Sequence, residues 1–147
     1  MTSGDVLETR AALLTELRKA TNNPDLEPDQ DGDLLVRFGS AAVYVRVLET
    51  PPLVRVYSPV LSDVELDEKL VNQLNALNGQ LHLARLVGVQ RTIFGVVDVP
   101  TEPLVSEHVV RACGVLGQLA DDIDDLLQAE YGGRTAFGGY RTKSLKN

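Results

Sequence analysis

The chain has 147 residues, of which 44% are hydrophobic and 24% charged, and its formal net charge is −7. This length and composition suit one globular domain and argue against a disordered chain, a fibre or two domains. No stretch reaches the roughly 18 consecutive apolar residues of a membrane span, and Met1 to Asp5 leads into a charged helix pattern instead of a signal peptide. The sequence therefore predicts a soluble, cytoplasmic protein.

The charge is distributed unevenly along the chain. All 21 acidic residues lie at or before Glu130, and four of the 14 basic residues follow it. The body thus has 10 basic against 21 acidic residues, a net charge of −11, whereas the tail carries +4. Because an acidic body repels phosphate backbones, nucleic-acid binding is not expected. We predict a single domain over residues 1–133 and a flexible, basic, glycine-containing tail over residues 134–147.

The first predicted element is a helix from Asp5 to Ala20, where apolar residues recur near helical spacing and Asp5 with Glu8 forms a variant of the capping box. The segment from Asn22 to Gly32 is rich in Asn, Pro, Asp and Gly and predicts an acidic loop. Its acidic residues imitate a calcium-binding loop, but the glycine comes too early and no Glu follows at the required place. A solvated loop without a bound ion is therefore expected.

Three strands rich in Val and Tyr are predicted next, at Asp33 to Phe38, Ala42 to Glu49 and Leu53 to Val60. Short turns at Gly39-Ser40 and Thr50-Pro51 would make them an antiparallel meander and fix their pairing register. In this register one face is wholly apolar and must be covered by other elements. Its members are Leu34, Val36, Phe38, Ala41, Val43, Val45, Val47, Val54 and Val56.

The opposite face of the meander is amphipathic, with Tyr44 opposite Tyr57 and Arg46 opposite Arg55. Tyr and Arg combine a large contact area with hydrogen-bonding groups, which is typical of protein-binding surfaces. Three interpretations of this face remain open: it binds a peptide or protein, it is buried in a dimer, or it is exposed to solvent. The candidate peptide-binding residues are Leu35, Tyr44, Arg46, Leu48, Leu53, Arg55 and Tyr57.

A second helix and a second hairpin follow the meander. Ser62 and Glu65 form a capping box before the apolar positions of the helix, and Gly79 stands where a C-cap glycine is expected. Two strands, Leu81 to Val87 and Thr92 to Val99, then predict a hairpin. Its apolar residues fall on both faces, which indicates a buried part of the same sheet.

The last predicted element is a long helix that carries one apolar stripe and ends at Gly132-Gly133. Such a stripe suits a coiled coil, but an uncovered apolar sheet face favours packing of the helix on the sheet. The stripe consists of Val105, Val109, Ala112, Leu116, Leu119, Ile123 and Leu126.

The sequence contains no recognisable catalytic or cofactor-binding motif. His82 and His108 have no nearby sequence partner that would suggest a charge relay or a metal site, so both are expected to be structural. Cys113, the single cysteine, lies among apolar helix positions and is expected to be a small buried hydrophobe. The cluster Asp121 to Asp125 could hold a cation, but a solvated acidic edge is the preferred interpretation. No metal or other cofactor is predicted.

The order helix, three strands, helix, two strands and long helix resembles the type III secretion chaperone fold, the CesT-like and YbjN-like group of small acidic proteins. The resemblance is supported by Asp33 to Phe38 entering the meander, Leu74 to Asn78 closing the second helix and Val97 to Pro100 leaving the last strand. It is strongest to the actinobacterial branch described as peptide-binding chaperones, and ten Arg against four Lys suit a GC-rich genome. The expected fold class is therefore α+β, with an antiparallel sheet and helices packed on one face.

The resemblance implies a non-enzymatic homodimer that holds an extended segment of a client protein without nucleotide. It places client contacts on the Tyr- and Arg-bearing face, and the dimer contact on the second helix and the strand after it. The interface candidates are Leu66, Leu70, Leu74, Leu81 and Leu83.

Two other functional classes stay open at this point. A regulatory adaptor of the YbjN-like type would use the same fold to bind a folded partner. A small enzyme or metal-binding domain would need a pocket built from His82, His108 or the Asp121 to Asp125 cluster.

Overall fold

The computed structural model describes residues 3–131 of the chain, and the side chains of residues 4–123. Over these residues the helices are α1 (Ser3–Ala20), α2 (Glu68–Asn78) and α3 (Ser106–Tyr131). The strands are β1 (Leu34–Phe38), β2 (Ala41–Leu48), β3 (Leu53–Ser62), β4 (Arg85–Val89) and β5 (Thr92–Pro100). The predicted order of elements and α+β class are confirmed, whereas the predicted tail, residues 134–147, lies outside the described residues.

The described strands form an antiparallel sheet in the order β1-β2-β3-β5-β4. The predicted register of the meander is confirmed, because Leu34 pairs with Val45 and Tyr44 pairs with Tyr57. The apolar face is the buried one, with Val43 and Val45 at most 1% exposed. The two short turns therefore set the alternation of buried and exposed side chains across the first three strands.

The helices cover the apolar face of the sheet. Helix α3 contacts β1, β2, β3 and β5, α1 packs against α3 and β2, and α2 packs against β4. The predicted apolar stripe of α3 is buried from Val109 to Ile123, while the side chain of Leu126 lies outside the described ones. A Cβ added at Gly117 would lie 2.9 Å from Phe38 Cβ, so glycine permits the close approach of α3 to β1.

The second helix starts later than predicted. The N-cap is Asp67, whose carboxylate accepts a hydrogen bond from Leu70 N, and the proposed capping box of Ser62 and Glu65 is wrong. A register shift after Pro59 lets β3 continue to Ser62, so this residue is part of the sheet. Helix α1 starts at Ser3, two residues before the predicted start, so Asp5 lies inside its first turn.

The fourth strand also differs from the prediction, because it spans Arg85–Val89 and lies at the edge of the sheet. Val89 pairs with Thr92, so the hairpin turn is at Gln90-Arg91. The side chain of Asn78, at the end of α2, holds the strand in place. Its Nδ2 donates to Leu86 O at 3.0 Å, and its Oδ1 accepts from Leu86 N at 2.7 Å. An amide side chain thus takes the place of a neighbouring strand at this position of the edge.

Candidate functional site

The sheet surface opposite the helices is called the open face here. It contains every candidate peptide-binding residue that was predicted, because the register is the predicted one. The second hairpin extends it with alternate residues of β5 and β4. These additional residues are Phe94, Val96, Asp98, Arg85, Val87 and Val89.

Three aromatic rings form the centre of the open face. The rings of Tyr44 and Tyr57 stack with centroids 5.2 Å apart and planes 14° from parallel. The ring of Phe94 packs edge-on against that of Tyr57, with the two ring centroids 6.2 Å apart. Partial burial raises the pKa of the Tyr57 phenol, so the neutral hydroxyl is kept as a donor and acceptor. The cluster offers an apolar surface with polar groups at its margin.

An ion pair borders this cluster on the β1 side. Arg46 Nε lies 3.0 Å from Asp33 Oδ1, and Arg46 Nη2 lies 2.6 Å from Asp33 Oδ2. The Asp33 side chain is 5% exposed, whereas that of Arg46 is 46% exposed. The guanidinium carbon also lies 5.9 Å from the Tyr57 ring centroid. The hydrogen bond with Asp33 raises the pKa of Arg46, which fixes the positive charge beside the ring.

A second charge cluster lies toward β4. Arg55 Nε and Nη2 donate to the two carboxylate oxygens of Asp98 at 2.8 and 3.0 Å, and Arg85 Nη2 donates to Asp98 Oδ2 at 3.1 Å. The hydrogen bond from Arg55 lowers the pKa of Asp98, with a smaller contribution from Arg85. The side chains of Arg55 and Arg85 are both more than two fifths exposed. They remain accessible to a ligand while paired with the protein's own carboxylate.

A groove runs between the two charge clusters. Its floor is formed by Tyr57, Phe94 and Val96, with Val87 and Val89 toward the sheet edge. Arginines 46, 55 and 85 complete the lining. An apolar floor with guanidinium groups beside it can bury a side chain and donate hydrogen bonds to a bound chain.

The candidate residues predicted from sequence differ in accessibility. Leu35 is 48% exposed, and Leu48, Leu53, Tyr44 and Tyr57 are partly buried. Sequence reasoning missed the contributions of Phe94, Asp98 and the β4 residues. Alternation from Thr92 to Asp98 would have placed Phe94 and Asp98 on one face of a strand. Their placement beside Tyr57 and Arg55 additionally required the pairing of β5 with β3.

The interface candidates differ in accessibility. Leu70 and Leu74 are 0% and 6% exposed, because they pack into the core of their own chain and present little area to a partner. Leu66 and Leu81 are partly buried against that core. Leu83 is 69% exposed, and it precedes β4 instead of lying in a strand.

The structure also shows where the histidines, the cysteine and part of the acidic cluster lie. His82 and His108 are exposed, and the buried Cys113 is the small apolar residue that was predicted. Burial raises the pKa of the Cys113 thiol to about 12, which suppresses the reactive thiolate. Asp121 accepts a hydrogen bond from the Ser40 hydroxyl, and the side chains of Asp124 and Asp125 lie outside the described ones.

Asp29, in the acidic loop, accepts hydrogen bonds from the backbone N–H groups of Asp31 and Asp33 at 2.9 and 3.0 Å. These bonds shape the loop from within. Among the described residues there is no group of three or more His, Cys, Asp or Glu side chains that could hold a metal ion. Within the same part of the chain, no helix is both long and apolar enough to cross a bilayer.

A protein-family model matches residues 8–139 of the chain. Its description is TY-Chap1, T3SS (YopN, CesT) and YbjN peptide-binding chaperone 1. The chain belongs to the TY-Chap1 family. The family resemblance drawn from the order of elements is thereby confirmed. The match covers β1 to β5, α2, α3 and all but the start of α1.

Two solved structures show that this TY-Chap1 chain has the type III secretion chaperone fold. The crystal structure of the ExsC-ExsE complex matches with a TM-score of 0.67 and 20% identity, over 83% of this chain and 95% of the other. The Yersinia pestis type III secretion chaperone SycH, in complex with a stable fragment of YscM2, matches with a TM-score of 0.58 and 11% identity. That match covers 78% of this chain and 98% of the SycH chain. No curated protein sequence matches the chain.

Proposed function

We propose that the protein is a non-enzymatic, chaperone-like module that holds an extended segment of a client protein on its open face, without nucleotide or another cofactor. The observation that carries the proposal is the aromatic cluster of Tyr44, Tyr57 and Phe94, which lies opposite the helices in a chain of a peptide-binding chaperone family. The two solved structures described above are complexes with a second protein or protein fragment, which supports a protein ligand.

The chemistry of the open face suits an extended chain. Alternate side chains of a bound segment would point toward the sheet and bury apolar surface on Tyr57 and Phe94, at about 25 cal/mol per Å². The exposed parts of Arg55 and Arg85 would donate hydrogen bonds to its carbonyl groups. Neither contact depends on one particular side-chain sequence, so several client segments could bind.

Selection from a displayed library of random peptides tests the proposal. The wild-type protein should enrich a defined set of peptides, and Tyr57→Ala should lose that set because the variant removes the central ring of the cluster. Leu7→Ala is the matched control, since Leu7 is 63% exposed on α1 and lies outside the open face. Circular dichroism and thermal melting establish that both variants are folded. Retention of the same peptides by wild type and Tyr57→Ala would contradict the proposal.

We also propose a homodimer whose contact includes Leu83 and Val71, which are 69% and 51% exposed. Both residues belong to the region of α2 and the segment before β4, and burial of large exposed apolar side chains favours association. Leu83→Asp should convert a dimer to a monomer in sedimentation velocity, whereas Leu7→Asp should not. A monomeric wild-type protein would contradict this part of the proposal.

The cellular location that we propose is the cytoplasm. Cys113, the single cysteine of the sequence, is free and buried, which suits a reducing compartment. Fractionation of cells that express the tagged full chain tests the location, and recovery from the extracellular fraction would contradict it.

A further inference from the structure

The groove on the open face has an unbalanced charge. The residues that line it include Arg46, Arg55 and Arg85, and two carboxylates, those of Asp33 and Asp98, are paired with these three guanidinium groups. This is opposite to the formal net charge of −7 for the whole chain. The positive excess is therefore local, and it lies where Arg55 and Arg85 share the single carboxylate of Asp98.

The imbalance is greatest on the β4 side of the groove. At the β1 side, Arg46 is neutralised by the bidentate pair with Asp33, and Asp31 contributes further negative charge. At the β4 side, Arg55 and Arg85 share the carboxylate of Asp98. Two guanidinium groups offer ten N–H donors in total, more than one carboxylate can accept. A further carboxylate could bind there without displacing Asp98.

Repulsion between two neighbouring arginines also favours a bound anion at this place. Arg46 and Arg55 are directly opposed across β2 and β3, and the charge of Arg46 disfavours the charge of Arg55. An added anion close to Arg55 relieves the repulsion. The apolar floor beside it excludes water on one side and strengthens a charge-assisted hydrogen bond.

We propose that the segment held by the open face is acidic as well as apolar, and that one of its carboxylates contacts Arg55 and Arg85. A neighbouring apolar or aromatic side chain of the segment packs on the groove floor next to Phe94. This inference rests on the proposed function and specifies the chemical class of client segment that the face accepts.

Two other occupants fit the charge less well. A second copy of the chain, packed with its open face against the first, would bring two arginine clusters together. The chain's own tail is basic in sequence, with +4 over residues 134–147, and would meet the same repulsion. An acidic segment of a different protein gains attraction at contact range, although the net charge of −7 opposes its approach from a distance.

The composition of the selected peptides tests the inference. In peptides that wild type enriches, Asp and Glu should be about threefold more frequent than in the unselected library, as expected for a partly exposed ion pair. Arg85→Glu should abolish the enrichment, because it reverses the charge at the rim. Lys19→Glu is the matched charge control, since Lys19 is exposed on α1, and this variant should keep the enrichment. Unchanged acidic content in the wild-type pool would overturn the inference.

A pair of synthetic peptides separates this inference from the proposed function. One peptide has the most enriched sequence, and the second has Gln in place of each Glu and Asn in place of each Asp. Wild type should bind the acidic peptide about threefold more tightly, and Arg85→Gln should reduce that preference. Equal binding of both peptides, together with loss of binding in Tyr57→Ala, would overturn the acidic preference and leave the proposed function intact. Failure to select any Tyr57-dependent peptide would overturn both.

Discussion

Arg46 forms a bidentate ion pair with Asp33, whose side chain is 5% exposed. The pair joins the segment before β1 to β2, and the carboxylate is desolvated while the guanidinium is in contact with water. Removal of the arginine would leave a buried carboxylate without its partner, which is more costly than the loss of a surface ion pair.

Arg46→Met should therefore lower the free energy of unfolding by about 1–3 kcal/mol, measured by urea denaturation. Asp33→Asn combined with Arg46→Met should lose less than the sum of the two single changes. Lys19→Met, which removes an exposed charge 3.8 Å from Glu16, should change stability by at most about 0.5 kcal/mol. Additive effects of the two changes in the ion pair would show that it is not coupled.

The free energy of unfolding should depend on pH through the ionisation of Asp98. Its pKa in the folded state is lowered below 3.8, chiefly by the hydrogen bond from Arg55, so the folded state releases this proton more readily than the unfolded state. The stabilisation is complete above that value and is lost as the pH falls through the folded-state pKa. Asp98→Asn should be less stable than wild type by about 1 kcal/mol at neutral pH, because both arginine partners are partly exposed.

Urea denaturation from neutral pH down to about pH 3 tests this expectation, and the two stability curves should approach each other at the acidic end. Asp25→Asn, in the exposed loop after α1, provides a control that should parallel wild type. A constant difference between Asp98→Asn and wild type over the whole range would rule out titration of this ion pair as the cause.

Two glycines of α3 should respond in opposite directions to the same substitution. At Gly114 an added Cβ meets no atom of the described residues within 4 Å, whereas at Gly117 it would lie 2.9 Å from Phe38 Cβ and 3.0 Å from Phe38 O. Gly114→Ala should stabilise the protein by about 0.5–1 kcal/mol through helix propensity. Gly117→Ala should destabilise it by about 1–3 kcal/mol, because β1 must shift. Thermal and urea unfolding of both variants measures the difference, and stabilisation by both would show that α3 is not tightly packed on β1.

Cys113 should be inert to thiol reagents in the folded protein. Its side chain is fully buried and its pKa is raised to about 12, so both access and thiolate formation are suppressed. Absorbance with a disulfide reagent should show slow labelling in buffer and fast labelling once urea unfolds the chain. The Cys113→Ser variant, which lacks the thiol, gives the background absorbance of the assay. Rapid labelling under native conditions would indicate local opening of α3 away from the sheet.

The meander and its open-face residues were predictable from sequence because short turns and strict alternation leave little choice of register. Tyr44 opposite Tyr57 follows directly from those two features. The start of α2 was missed because a bulge near Val60 extends β3, and a bulge has no reliable sequence signal. The ion pairs of Asp33 and Asp98 depend on the lateral order of strands and on side-chain placement, which local patterns do not contain.

The coverage of the sheet by α3 has a consequence for synthesis of the chain. This helix begins at Ser106, after every described strand, and yet it packs on β1, β2, β3 and β5. While the ribosome is still translating the last third of the protein, α3 is not yet available to cover the valines of the meander. A nascent chain at this stage exposes the kind of apolar strand surface that attracts general holding factors. A protein proposed to hold segments of other chains therefore passes through a stage in which its own apolar strands are open to such holding factors.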